Sequence, residues 1–235
     1  MNISKGVIFV ESRRSRKRPV RFVVTLVILL ALVAVAVYYT AMMTTIRTSY
    51  EFRANRVDYL FYDQTSDNFY LMRFITSSKL GYIIKIPGKG FYIKTSKSLD
   101  PNNLEVTLVT IEEFLELSKD ASFYAKVDAE TLKFLRQLAG HPGGFMEVIK
   151  ALTTRGIKLT DYLKANFYAS RFRMSSNLSG AAFLKLLDRL HNSGIQEFEI
   201  RGITKRPVTI VVGDKKYERI YLEDEDVERV RNLLK

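Results

Sequence analysis

From Phe22 to Met43 the chain runs uncharged and almost wholly apolar, on every face that a helix would present. An α-helix needs roughly 20 apolar residues to cross a ~30 Å hydrocarbon core, so the run predicts a transmembrane helix over residues 22–43. A core helix of a soluble domain would be apolar along one stripe only. The segment just before the run, Arg13-Arg14-Ser15-Arg16-Lys17-Arg18-Pro19-Val20-Arg21, is almost entirely basic. The positive-inside tendency then places residues 1–21 in the cytoplasm as a basic tail and everything after Thr44 across the cell membrane. Tyr38 and Tyr39 fit an interfacial aromatic belt at the far end. A cleaved signal peptide is the alternative, and Ala34-Val35-Ala36 offers a small-x-small site. Signal peptides carry apolar cores of about 7 to 15 residues, shorter than this one, which favours an uncleaved signal anchor.

Beyond a short stalk at residues 44–55 the period changes. Val57 to Tyr62 and Phe69 to Ile75 are aromatic and β-branched runs around a polar turn, a hairpin pattern. Tyr82 to Ile86 reads as a third strand stopped by Pro87-Gly88-Lys89-Gly90, and Phe91 to Ile93 resumes extended structure. Leu104 to Val109 reads as a short strand feeding a helix opened by Thr110, with Glu113 at capping-box spacing. Phe123 to Val127 is strand-like. Asp128 is a suitable N-cap for a helix through Leu132, Leu135 and Leu138 that Gly140 closes. A helix from Phe145 to Thr154 follows, then an extended Phe167 to Arg173, then helical spacing from Leu178 to Leu190. Strands at residues 195–200, 208–212 and 217–222 precede a last helix from Asp224, which turns Val227, Val230 and Leu234 inward. Alternating helices and strands predict an α/β fold, a three-layer αβα domain with a mixed central sheet over residues 56–235.

The net charge of +12 would suggest a nucleic-acid partner if it were spread over one surface. About half of it precedes the membrane run: Lys5, Arg13, Arg14, Arg16, Lys17, Arg18 and Arg21 face only Glu11. The remainder is interrupted by acidic runs such as Glu223 to Asp226, which argues against nucleic acid and leaves the lipid bilayer as the expected partner. The chain has no cysteine, so disulfide and thiol chemistry are excluded. No nucleophile motif, phosphate loop or metal-ligand spacing is present; metal ligands are therefore expected to be none. His141 and His191, the only histidines, fall at predicted helix ends, where capping is the expected role. Asp58 interrupts an apolar strand. In an extended segment Arg171 and Arg173 share a side, and such a pair suits the bidentate binding of a pyrophosphate.

Taken in order, these segments resemble the LytR-CpsA-Psr family of cell-envelope proteins. Arg56-Val57-Asp58 is similar to the family's opening Arg-x-Asp strand, and Lys85-Ile86-Pro87-Gly88-Lys89-Gly90-Phe91-Tyr92-Ile93 to its Ser-Ile-Pro-Arg-Asp-Thr-Tyr-Val signature. Further echoes are Val109 to Leu115, Tyr124 to Asp128 with Phe134 to Gly140, and Phe167 to Arg173 ahead of Phe183 to Leu187. The resemblance covers residues 56–190. It implies a glycopolymer phosphotransferase that acts on a polyprenyl-pyrophosphate donor, with arginines on the pyrophosphate and magnesium held by aspartates. By that resemblance Asp58 is the matched catalytic position, and Arg171, Arg173, Lys85 and Lys89 are candidates for the pyrophosphate. Leu132, Leu135, Leu186 and Leu190 are candidate liners of a lipid pocket.

The departures are as informative. Gly88 and Lys89 stand where the signature has Arg-Asp, and Gly180-Ala181-Ala182 stands where the family has further arginines. An ammonium in place of a carboxylate repels a divalent cation, so no cofactor is expected, with magnesium reserved for an active site. The expected function is a membrane-anchored, extracytoplasmic protein of cell wall biogenesis that binds a polyprenyl phosphate lipid or envelope glycopolymer, with weakened or lost transfer activity. The alternative is a non-enzymatic bitopic scaffold docking envelope-assembly proteins. A deep apolar tunnel would favour the first, a filled core with an exposed sheet edge the second.

Overall fold

The computed structural model describes residues 17–172, 176–204, 206–212 and 214–234. The chain forms two compact units that divide between Met42 and Met43. Most of the first is helix α1 (Lys17–Arg47), whose side chains at positions 22–38 are exposed all round. A helix apolar on every exposed face finds its counterpart in lipid, and α1 is long and apolar enough to cross a membrane.

The second unit opens on the last turn of α1 and the short helix α2 (Tyr50–Arg53). Residues 44–55 are no free stalk. Ile46 and Ala54 are buried, and Glu51 accepts a hydrogen bond from Ser179. Strands β1 (Arg56–Asp63) and β2 (Asn68–Ile75) form the expected hairpin, followed by β3 (Leu80–Pro87). The short β4 (Gly90–Tyr92) and β5 (Lys97–Ser98) follow.

Helix α3 (Leu104–Phe114) replaces the strand and later helix start expected at Leu104 to Thr110. The Asn103 side chain accepts from the Val106 amide as N-cap, and Leu104, Leu108, Ile111 and Phe114 recur at helical spacing and are buried. Strand β6 (Ala121–Val127) leads into α4 (Ala129–Ala139), capped by Asp128 and closed by Gly140 at φ 68°. Next come α5 (Phe145–Arg155), α6 (Leu159–Ala169) with a 3-10 turn at Ser170–Phe172, and α7 (Gly180–Asn192). Strands β7 (Gly194–Glu199), β8 (Val208–Val212) and β9 (Lys215–Tyr221) precede α8 (Asp224–Leu234).

The main sheet is mixed, in the order β6-β1-β2-β3-β7, and a smaller sheet runs β5-β4-β9-β8. Both faces of the main sheet are covered, giving the expected layering. Leu60, Tyr62, Phe69, Leu71 and Ile84 face α3 and α8, where they meet Leu108, Ile111, Val227 and Val230. Side chains of opposite parity face α5 and α7: the Phe61 and Phe145 rings lie 5.6 Å apart, and the Tyr59 hydroxyl donates to the Ala182 carbonyl at 3.0 Å. At Gly180, the start of α7, a Cβ would lie 2.7 Å from the Ala165 carbonyl carbon, so only glycine allows this approach to α6.

Lys185 ties α7 to the segment leading from the membrane helix. Its ammonium is buried and donates to the carbonyls of Phe52 at 2.6 Å and Ala54 at 3.1 Å, at the end of α2. Burial pushes its pKa down to about 8. The unfolded chain keeps this proton to about pH 10, so between pH 8 and about 10 unfolding takes up a proton and Lys185 adds stability as pH rises. Thermal denaturation of the wild type against Lys185→Met is expected to show the wild-type advantage growing across that interval. An advantage that stays constant would contradict the assignment.

Candidate functional site

The hairpin register sets Asp58 directly opposite Arg73. Both side chains are buried on the α3 face, at 0 % and 2 % exposure. Arg73 Nη1 donates to both carboxylate oxygens of Asp58, at 3.1 and 2.8 Å, and Nη2 donates to the Ser118 carbonyl at 2.6 Å. Glu112 and Lys119, which pair with each other, border this couple. Burial lifts the Asp58 carboxyl to about 7 against the pull of Arg73, and Glu112 adds to the rise. A carboxylate with both oxygens held by a guanidinium, out of contact with solvent, is a poor host for magnesium, which needs hydrated oxygen ligands. Among the described residues no group of three or more histidines or acids converges to hold a metal. The residues present therefore do not fit the ion that the family resemblance implies.

Arg171 lies on the other side of the sheet. It follows α6 in the 3-10 turn, not in the extended segment expected from the sequence. The cause lies in α6: Asp161 caps its first turn by accepting from the Lys158 amide at 2.7 Å, and Tyr162, Ala165 and Tyr168 form a buried face. Asp161 also accepts from Arg155 at 2.7 and 2.8 Å and from the Tyr168 hydroxyl at 2.7 Å. Phe172, beyond Arg171, packs against Phe61 and Phe183, which anchors the turn. Arg173 lies outside the described residues.

Between α4 and α6 opens a cleft of about 820 Å³, with Lys133, Lys164 and Arg171 on its rim and Glu130 as its one carboxylate. Phe134, Leu138, Phe167 and Tyr168 supply its apolar wall. The Arg171 guanidinium stacks 4.4 Å above the Phe167 ring, which holds it in place and leaves its N–H edge for a ligand. Three cations over aromatic walls suit an anion with an apolar tail.

The other sequence candidates lie elsewhere. Lys85 pairs with Glu199 at 2.8 Å, and Lys89 pairs with Glu218 on the smaller sheet. Leu132, Leu135, Leu186 and Leu190 are buried in the core, and none of them lines the cleft. Asp58 and Arg171, paired by resemblance, occupy opposite faces of the main sheet. The sequence reading missed Arg73, Lys133 and Lys164. Arg73 left a signal, since it stands as far after Asn68 as Asp58 stands before Asp63. His191 Nδ1 meets the Thr153 carbonyl at 2.8 Å, and His141 Nδ1 accepts from the Gly143 amide at 3.1 Å.

No family model matches the chain, and no curated protein matches it. Solved structures similar to it include LytR-CPS2A-Psr proteins, the family its motifs resemble. TagV of B. subtilis is 12 % identical with a TM-score of 0.49, over 77 % of this chain and 95 % of that one. Lin1025 of Listeria innocua is 10 % identical with a TM-score of 0.49, over 76 % and 96 %. The LytR-CPS2A-psr family protein YwtF (TagT), solved with bound octaprenyl pyrophosphate lipid, is 12 % identical with a TM-score of 0.40, over 79 % and 90 %. At these scores no residue role is carried from them to this chain.

Proposed function

We propose that this protein is anchored in the cell membrane by α1, with its domain on the extracytoplasmic side, and binds a polyprenyl phosphate or pyrophosphate carrying an envelope glycan. One observation carries the reading: the cleft between α4 and α6 sets Lys133, Lys164 and Arg171 around an aromatic wall. The cations take the phosphoryl oxygens, and Phe134, Leu138 and Phe167 take the first isoprene units. Phosphotransfer assisted by a metal at Asp58 is not part of the reading, because Arg73 occupies that carboxylate and the sheet separates it from the cleft.

The test is binding of a short-chain polyprenyl pyrophosphate to the full chain in detergent. Charge-assisted hydrogen bonds to phosphate contribute roughly 1.5–3 kcal/mol each before solvent screening, so Lys133→Ala with Arg171→Ala is expected to weaken binding about tenfold or more. Lys85→Ala with Lys89→Ala is expected to leave binding unchanged, since both cations are engaged by glutamates. The reverse result would move the headgroup site to the end of β3 and the turn into β4, where Lys85 and Lys89 lie.

A second reading, the scaffold, is favoured by β8, an edge strand of the smaller sheet on which Val211 is exposed. The same titration separates the two. A wild-type chain that binds no lipid pyrophosphate leaves the scaffold.

A further inference from the structure

Helix α6 buries one face and exposes an apolar stripe on the other. Leu159, Leu163 and Phe167, at 68, 50 and 49 % exposure, recur every fourth residue and so lie within about 80° of helix circumference. Exposed Lys158 and Lys164 flank the stripe on its two sides, and Arg171 continues the basic rim beyond the helix end. A helix with an apolar stripe bordered by lysines has the make-up of one that lies in a membrane interface.

The chain's connectivity says which surface covers it. The apolar run of α1 ends at Met43, and Arg47 stands four residues further along the same helix, a rise of about 6 Å. Arg47 Nε donates to the Tyr162 hydroxyl of α6 at 3.0 Å, and its guanidinium sits 5.7 Å from that ring. Helix α6 is therefore fastened to the chain about one helical turn beyond the membrane run. Tyr50, 64 % exposed, opens α2 three residues further on and is of the residue type that favours the headgroup layer.

We propose that the outward face of α6, through Leu159, Leu163 and Phe167 with Lys158, Lys164 and Arg171, rests on the surface of the bilayer that the chain's own helix spans, with anionic headgroups as its polar contacts. Lys164, Phe167 and Arg171 also border the cleft. On the cleft reading above, a polyprenyl lipid then passes sideways from the bilayer into its site without crossing water.

The chain has no tryptophan, so Leu163→Trp supplies a single reporter. The full-length variant is reconstituted in vesicles of phosphatidylcholine, with or without phosphatidylglycerol, whose acyl chains are brominated near the glycerol. These vesicles hold no polyprenyl lipid, so the outcome does not depend on cleft binding. An interfacial helix sits about 5–10 Å into the headgroup boundary, so the reporter is expected to emit at shorter wavelength and lose roughly half or more of its intensity to bromine. Phosphatidylglycerol is expected to deepen the loss, and adding Leu159→Glu, which does not touch the cleft, to abolish it. Val211→Trp on β8 is the unquenched control. A water-like, unquenched signal from Leu163→Trp in both vesicle types would overturn the proposal. So would a short-wavelength signal that bromine leaves untouched and that grows with protein density, which would assign the stripe to a second copy of the chain.

Discussion

Replacing Arg73 with methionine is expected to destabilise the domain by about 3–5 kcal/mol, the cost of removing one partner from a buried ion pair. Asp58 would keep its place at 0 % exposure with no cation on its oxygens, and the Ser118 carbonyl would lose its donor. The penalty belongs to the orphaned carboxylate more than to the lost contact. Adding Asp58→Leu to Arg73→Met is therefore expected to recover much of the loss, because an apolar pair fills the same space without desolvated charge. Urea denaturation of the wild type, both single variants and the double variant closes the cycle. A loss under about 1 kcal/mol for Arg73→Met would mean that Asp58 is free to take another partner, and a catalytic role for it would return.

Asp161→Ala is expected to cost a comparable 3–5 kcal/mol, by a different route. Burial disfavours the charge on Asp161, but Arg155, the Lys158 amide and the Tyr168 hydroxyl outweigh it and hold the carboxyl below its ordinary range. A depressed carboxyl contributes stability above the unfolded pKa, about 3.9, and loses it as pH falls through the folded value. The stability gap between wild type and Asp161→Ala is thus expected to be full at neutral pH and to close below about pH 4, as thermal unfolding at several pH values would show. Helix α6 carries Lys164 and Phe167 and leads into Arg171, so the variant is also expected to bind lipid pyrophosphate more weakly at temperatures where it remains folded. A gap that persists unchanged at pH 3 would assign the loss to packing, not to charge.

Much of the fold was legible where local pattern and tertiary burial agree. The β1–β2 hairpin, the Asp128 cap and Gly140 close of α4, and the inward Val227, Val230 and Leu234 of α8 lie where alternation and capping chemistry put them. The first part of α3, Leu104 to Val109, reads as a strand because Val106, Thr107 and Val109 are β-branched, whereas burial of Leu104, Leu108 and Ile111 decides the matter only once the sheet is present. The pattern of Phe167 to Arg173, aromatic and basic residues mixed, reads as extended, whereas residues 167–169 end α6 and residues 170–172 form the 3-10 turn. The buried face of α6 depends on Ala165 and Tyr168, which carry little weight in a count of apolar positions. The cleft was the least legible part. Lys133 and Arg171 are far apart in sequence, and no local signal joins them.

Gly180 and Ala182, at the start of α7, are packed too closely to accept a longer side chain. At Gly180 any side chain strikes the backbone of Ala165, and at Ala182, which is 0 % exposed, an arginine would have to displace the α7 packing against the sheet. A side chain at Gly180 would force α6 and α7 apart and shift the rim of the cleft carried by Lys164 and Phe167. Introducing a cation at Gly180 would thus have to begin by redesigning the spacing of that helix pair, and on the proposed cleft reading it would loosen lipid binding before adding any new group.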